Sequence, residues 1–78
     1  MNERQLLAFK YVIQHGTMTK AAELLHVTQS AVSQMITNLE QDLGFPVFER
    51  RQGKITPTPQ GRSFLAEADS VLDTMGKA

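Results

Sequence analysis

The sequence predicts a mainly α domain: three helices, a β-hairpin, and one long closing helix. Three observations lead there. Apolar residues recur at helical spacing in four stretches, divided by residues that start or stop helices. Thr28 to Gly44 reads as one of these helices, and a short helix precedes it across a tight connection at His26-Val27-Thr28. After Gly44 the pattern turns to an apolar, proline-interrupted run, Phe45-Pro46-Val47-Phe48, which cannot continue a helix.

A chain of 78 residues permits one small domain with a modest core. It contains no cysteine, so neither a disulfide framework nor a cysteine zinc site can hold it together. Helix packing, and a second copy of the chain, must do so instead. The N-terminal stretch Met1 to Lys10 lacks a basic region followed by an apolar run, so it is not a signal peptide. No stretch approaches the about 20 apolar residues that span a bilayer. A cytoplasmic protein with no membrane partner is expected.

The first helix starts at Asn2 as cap and runs to about Gln14. Leu6, Phe9, Val12 and Ile13 form its buried stripe, Leu7 lies on the flank, and Arg4 and Lys10 face outward. His15-Gly16 ends it, because Gly16 can take the left-handed conformation that closes a helix. Its expected role is structural, a lid over the two helices that follow. His15 and His26 are the two histidines. They are not at i, i+4 and no cysteine joins them, so no metal site is expected. His15 suits the C-terminal carbonyls of the first helix.

The second helix is short, with Thr17 or Thr19 as cap and Met18, Ala21, Ala22, Leu24 and Leu25 on its buried side. Ala21-Ala22 lets another helix approach closely, and Val27 can pack between the two. The third helix has Thr28 as N-cap. Val32, Met35 or Ile36, Leu39 and Leu43 are its apolar stripe, and Gly44 is its exit. The opposite face at its front carries Gln29, Ser30, Ser33, Gln34 and Thr37, with no charge among them. A merely solvated face more often carries Lys and Glu. Amides and hydroxyls are the groups that read base edges. Alone, this face suits an ordinary low-charge surface helix equally well. The short helix and tight turn before it shift the balance, because together they form a helix-turn-helix. In that motif the front of the second helix enters the major groove of DNA. His26 is then a turn residue near the DNA backbone or in solvent.

Val47 and Phe48 begin an extended segment, Arg51-Gln52-Gly53-Lys54 is a turn with a basic rim, and Ile55-Thr56 returns. This is a β-hairpin, the wing of a winged helix-turn-helix. Its basic tip can reach a phosphate or a narrow minor groove. A solvated hairpin turn is the alternative, and the adjoining helix-turn-helix favours DNA. Thr58 is an N-cap with Pro59 at the first helical position, where its missing N–H has no consequence. The last helix runs from about Pro59 to Met75. Phe64, Leu65, Ala68, Val71, Leu72 and Met75 form its stripe. The first three helices have one another to pack against, so this stripe needs a partner. An antiparallel second copy supplies one by two-fold symmetry. Folding back on its own domain is the alternative. The expected division is a DNA-binding domain over 1–58 and a linker and dimerisation helix over 59–78.

Formal net charge is zero, which looks poor for a nucleic-acid binder. The distribution matters more. Arg50, Arg51, Lys54 and Arg62 cluster after Gly44, opposed there by Glu49, while Glu67, Asp69 and Asp73 make the last helix acidic. Few neutralised phosphates imply weak nonspecific affinity. The neutral sum and the uncharged pair Thr37-Asn38 also motivate a second reading, a protein-interaction module that kept this fold. An enzyme is the third reading and is not expected: the sequence shows no nucleophile–base pair, metal cluster or glycine-rich phosphate loop, and leaves little room for a pocket.

Taken together, Ala21-Ala22-Glu23-Leu24-Leu25, Val27-Thr28-Gln29-Ser30-Ala31-Val32-Ser33, Leu39-Glu40, Leu43-Gly44, Pro46-Val47-Phe48-Glu49-Arg50 and Thr58-Pro59-Gln60-Gly61 resemble the N-terminal domain of LysR-type transcriptional regulators. The resemblance covers nearly the whole chain and implies a winged helix-turn-helix that dimerises through an antiparallel linker helix. It implies base-reading positions at Gln29, Ser30, Ser33 and Gln34. It places backbone contacts at Thr28, Thr37, Arg50 and Arg51, with Lys54 in the wing and Thr19 and Lys20 approaching phosphate. Regulators of this family act on bacterial promoters, with RNA polymerase as a further partner, and usually assemble as tetramers. They carry a C-terminal domain for a small-molecule co-inducer. No cofactor is expected in this segment, which is expected to be part of a longer protein. Three positions depart from the family pattern. Thr37 and Asn38 stand where basic residues are common, which implies fewer phosphate contacts. Ser30 stands where proline is common, which alters what is read there. Pro57 stands where an apolar residue is usual, which is expected to shorten the second wing strand.

Overall fold

The computed structural model describes residues 1–76, in the order α1 (Glu3–His15), α2 (Met18–Leu25), α3 (Gln29–Leu43), β1 (Phe48–Arg51), β2 (Lys54–Pro57) and α4 (Pro59–Gly76). Within α4 the description stops short of the Met75 side chain, so that part of the expected stripe lies outside the described residues.

Local chemistry sets each boundary. Asn2 and Gln5 form a reciprocal cap: the Gln5 N–H donates to the Asn2 side chain at 2.9 Å, and the Asn2 N–H donates to Gln5 Oε1 at 3.1 Å. Gly16 closes α1 at φ 76°. Between the two candidate caps for α2, Thr17 is the one used, its hydroxyl accepting the Lys20 N–H at 3.2 Å. His26 closes α2 in the left-handed region at φ 58°, and the Val27 N–H then donates to the Ala22 carbonyl at 3.0 Å. Thr28 caps α3 by accepting the Ala31 N–H at 3.1 Å, and Gly44 ends it at φ 83°.

The first helix is the hub of the domain. It packs against α2, α3, α4 and β2, where a lid over two helices was expected. The physical reason is Phe9. Its ring is fully buried and lies 5.4 Å from that of Phe48 in the hairpin and 5.7 Å from that of Phe64 in α4. Tilted rings at this spacing attract beyond simple burial. Val12, Val32, Leu39 and Val47 complete the fully buried centre. Ile13, Met35 and Leu43 are half-buried around it. Leu24 departs from expectation at 40% exposed, since it falls on the flank of a face centred on Ala21, Ala22 and Leu25.

The hairpin is tighter than the sequence suggests. Arg51 pairs with Lys54, so these residues are strand ends, and the turn is Gln52-Gly53 alone. Both turn residues have positive φ, 52° and 77°, which matches the twist of the strands they join. The expected shortening by Pro57 does not occur. Pro57 is the last residue of β2, paired with Phe48, a position where a strand tolerates the missing donor.

Two side chains anchor the hairpin's base. Glu40 of α3 accepts the Val47 N–H at 2.7 Å. Thr58 donates its hydroxyl to the Pro46 carbonyl at 2.7 Å and accepts the Gly61 N–H at 2.9 Å. Thr58 thus caps α4 and ties it to the chain entering the wing.

Most of the described α4 stripe is used internally. Phe64 and Ala68, expected to face a second copy, are buried by their own domain, because α4 lies along α1. Leu65 and Leu72 are half-buried against the same core, and Val71 is 44% exposed. An ion pair between Lys10 and Asp69 at 3.1 Å spans the two helices, so Lys10 faces α4 rather than open solvent.

Candidate nucleic-acid interface

The front of α3 projects from the domain. Thr28, Gln29, Ser30, Ser33, Gln34 and Thr37 are all exposed, while Val32, Ile36 and Leu39 on the opposite side are buried. The helical period leaves 30, 34 and 37 away from the buried stripe of 32, 36 and 39 and puts 33 on its flank, while Gln29, which shares the side of Val32 and Ile36, is exposed as the first residue of the helix.

Two shallow clefts border this front. One is lined by Met18, Ser33, Ile36, Thr37, Glu40, Phe48, Glu49, Arg50 and Ile55. The other is lined by Thr17, Thr19, Gln29, Arg50 and Gly53, together with Met18 and Ile55. They share Met18, Arg50 and Ile55. A continuous face therefore runs from the start of α2, across the front of α3, to the wing. Thr19, Gln29, Ser33, Thr37 and Arg50 meet on it.

The wing divides its arginines between two sides. Strand residues alternate in direction, so Arg50 points toward α3 while Arg51 points away. Arg51 lines a separate depression with Thr56, Pro59 and Arg62. Its Nε lies 3.1 Å from Glu49, an ion pair along the same strand face. Lys20 is likewise paired, 3.6 Å from Glu23. Among the described residues Arg50, Lys54 and Arg62 form no ion pair. The sequence grouped these cations by proximity along the chain. The pleat of β1 separates them in space.

Two hydrogen bonds hold exposed side chains on the front. Gln29 Nε2 donates to Thr19 Oγ1, and Gln34 Nε2 donates to Asn38 Oδ1, each at 2.8 Å. Asn38 and Glu40 are contributors that sequence reasoning missed. The signal for Asn38 was present as its i, i+4 spacing from Gln34. Nothing local marked Glu40 as the partner of Val47, because the two meet only when the chain folds back after Gly44.

Among the described residues no group of three or more His, Asp or Glu side chains is arranged to hold a metal ion. No described helix is long and apolar enough to cross a membrane.

Residues 3–62 match the family model for the bacterial regulatory helix-turn-helix protein, lysR family. The chain is 44% identical over 69 residues to the octopine catabolism/uptake operon regulatory protein OccR of Rhizobium meliloti, which covers 88% of this chain and 23% of that protein. It spans roughly a fifth to a quarter of the length of the curated relatives it matches, 19%, 26% and 23% for three of them. In structure it is similar to the CbnR DBD–DNA complex, with a TM-score of 0.90, 38% identity, and coverage of 99% of this chain and 88% of that one. It is also similar to the BenM DBD in complex with benA site 1 DNA, with a TM-score of 0.90, 34% identity, and coverage of 99% and 86%.

Proposed function

Because the chain belongs to the lysR family of bacterial regulatory helix-turn-helix proteins and is a winged helix-turn-helix DNA-binding domain of that family, we propose that α3 reads base edges in the major groove of an operator while the wing holds the flanking backbone. The observation that carries this reading is the continuous face on which Gln29, Ser33, Thr37 and Arg50 meet. Gln29, Ser30, Ser33 and Gln34 are the base readers, since their amides and hydroxyls match donor and acceptor patterns in the major groove. Thr28, Thr37, Arg50 and Lys54 contact the backbone, while Lys20 and Arg51, paired with Glu23 and Glu49, are its weaker contacts. Arg50 is the strongest of these candidates, because it borders both clefts and has no ion-pair partner among the described residues.

Selection of bound duplexes from a randomised pool tests the reading, and recovery of a two-fold-related motif is the expected result. On that motif Ser33→Ala weakens binding by ~1–3 kcal/mol and relaxes one base position. Equal loss on motif and random duplexes would remove Ser33 from the base readers. Arg50→Ala weakens binding to every duplex and lowers the slope of log affinity against log salt by about 0.9 for one lost phosphate contact. An unchanged slope would take Arg50 off the phosphate. A fold that selects no duplex at low salt, in this chain and in a longer one containing it, would favour the protein-interaction reading.

The chain acts as a homodimer through α4. Val71 is the exposed member of the described stripe, and it borders an apolar depression lined by Leu6, Phe64 and Ala68. A second copy covering this depression would complete the dimer, and reading half-sites one turn apart requires its two α3 helices to stand about 34 Å apart. Val71→Glu should convert the dimer to monomers in sedimentation experiments at micromolar protein. A variant that stays dimeric would move the interface elsewhere. Residues 1–58 form the DNA reader and 59–78 the linker. The longer protein to which they belong would carry a co-inducer domain, assemble as a tetramer, meet RNA polymerase at promoters in the cytoplasm, and catalyse no reaction.

A further inference from the structure

Gln29 and Gln34 are exposed at the front of α3, where an unrestrained amide would rotate freely. A free glutamine amide offers a base a donor beside an acceptor or, through its two N–H groups, donors alone. Neither amide is free here. Gln29 Nε2 donates to Thr19 Oγ1 at 2.8 Å, reaching ten residues back across the turn into α2. Gln34 Nε2 donates to Asn38 Oδ1 at 2.8 Å, one helical turn further on. Each bond engages one amide hydrogen. What remains on each amide is one N–H and the carbonyl oxygen.

That remaining pair has a definite complement. In the major groove adenine presents the N7 acceptor beside the N6 amine donor, whereas guanine presents two acceptors, N7 and O6. An amide that has already spent one N–H on the protein matches adenine and mismatches guanine. The tether also removes rotamer freedom before the DNA arrives, so less order has to be imposed on binding. Thr19 is not needed to cap α2, since Thr17 does that. We propose that Thr19 and Asn38 are positioning residues, which hold the Gln29 and Gln34 amides with a donor–acceptor edge outward and so set an adenine preference at the base pairs these glutamines read. This inference rests on the base-reading role given above to the two glutamines. It departs from the expectation that Thr19 meets a phosphate: a phosphate contact acts on all sequences alike, while a positioning residue acts through one base pair.

The experiment measures binding of the 78-residue chain and its variants to three duplexes. These are the selected motif, the motif with adenine replaced by guanine at the position that loses preference in Gln29→Ala, and a random sequence. Thr19→Val keeps the side-chain shape and removes the acceptor. It should lower the adenine-over-guanine ratio by about three- to tenfold while leaving affinity for the random duplex within about twofold. Thr19→Ser should restore the ratio. In a Gln29→Ala background, Thr19→Val should change nothing further. Asn38→Ala should act in the same way at the base pair of Gln34 and not at that of Gln29. Unchanged helical circular dichroism confirms that each variant is folded. An equal loss on all three duplexes, or additive effects of Thr19→Val and Gln29→Ala, would overturn the positioning role and leave the base reading intact. Failure to select any motif, by the wild-type chain and by a longer one containing it, would overturn both.

Discussion

Phe9→Ala should remove ~3–5 kcal/mol of stability, the range for truncating a fully buried phenylalanine. The ring is wholly inside the domain and touches both the hairpin, through Phe48, and α4, through Phe64. Truncation therefore leaves a cavity bordered by three elements, with no single side chain able to collapse into it. A 78-residue domain holds only about 4–12 kcal/mol in total. The variant should sit near the edge of folding at 37 °C. Urea titration followed by helical circular dichroism reads the change, and a fall in midpoint of more than about 1 M is expected for slopes of about 1–3 kcal/mol/M. Phe9→Leu, which keeps most of the volume, should lose far less. A Phe9→Ala midpoint unchanged within error would mean that the three rings do not organise the core.

Gly61→Ala should destabilise the domain by about 3 kcal/mol, at the upper end of the usual cost of overpacking. The sign is the informative part. Gly61 lies inside α4, where replacing glycine by alanine ordinarily stabilises by ~1 kcal/mol through helix propensity. Here a β-carbon would overlap the Val47 carbonyl oxygen and lie 3.1 Å from Thr58 Oγ1. The first obstacle is backbone, held in place because the same carbonyl accepts the Thr58 N–H at 3.0 Å. Relief requires α4 to move off the base of the wing. A calorimetric melting temperature that rises on Gly61→Ala would show that this close approach is not maintained in solution.

These two sites also mark what the sequence made legible. The helix boundaries were readable because they depend on local chemistry: Asn2, Thr28 and Thr58 as caps, Gly16 and Gly44 as exits. The polar front of α3 was readable because Gln29, Ser30, Ser33, Gln34 and Thr37 are uncharged polar residues at the start of a helix whose apolar stripe, Val32, Ile36 and Leu39, recurs at helical spacing. What escaped were relations between residues distant along the chain. Phe9 was recognised as core but not as the point where three elements meet. Gly61 figured only as part of the Thr58-Pro59-Gln60-Gly61 stretch, with nothing local to reveal that Val47 would press against it. The α4 stripe was read as seeking one partner, although Phe64 and Ala68 serve the domain's own core and Val71 does not. Periodicity says that a face is apolar and is silent on which body covers it. The same limit applies to Arg50 and Arg51, adjacent in sequence and pointed apart by the pleat of a strand.

The pairing of Lys20 with Glu23 and of Arg51 with Glu49 has a consequence for how this molecule moves through a chromosome. If the proposed interface forms, cations engaged by their own neighbours would release fewer ions from the duplex, and the grip on arbitrary sequence would be slight. A slight grip means brief visits. The protein would then spend little of its time idling on the roughly million-fold excess of wrong sites a genome presents. On the proposed reading, its residence would be decided by uncharged side chains that engage only when the bases agree. Occupancy of the right site is thereby set less by how strongly the protein is attracted to DNA than by how quickly it abandons the rest.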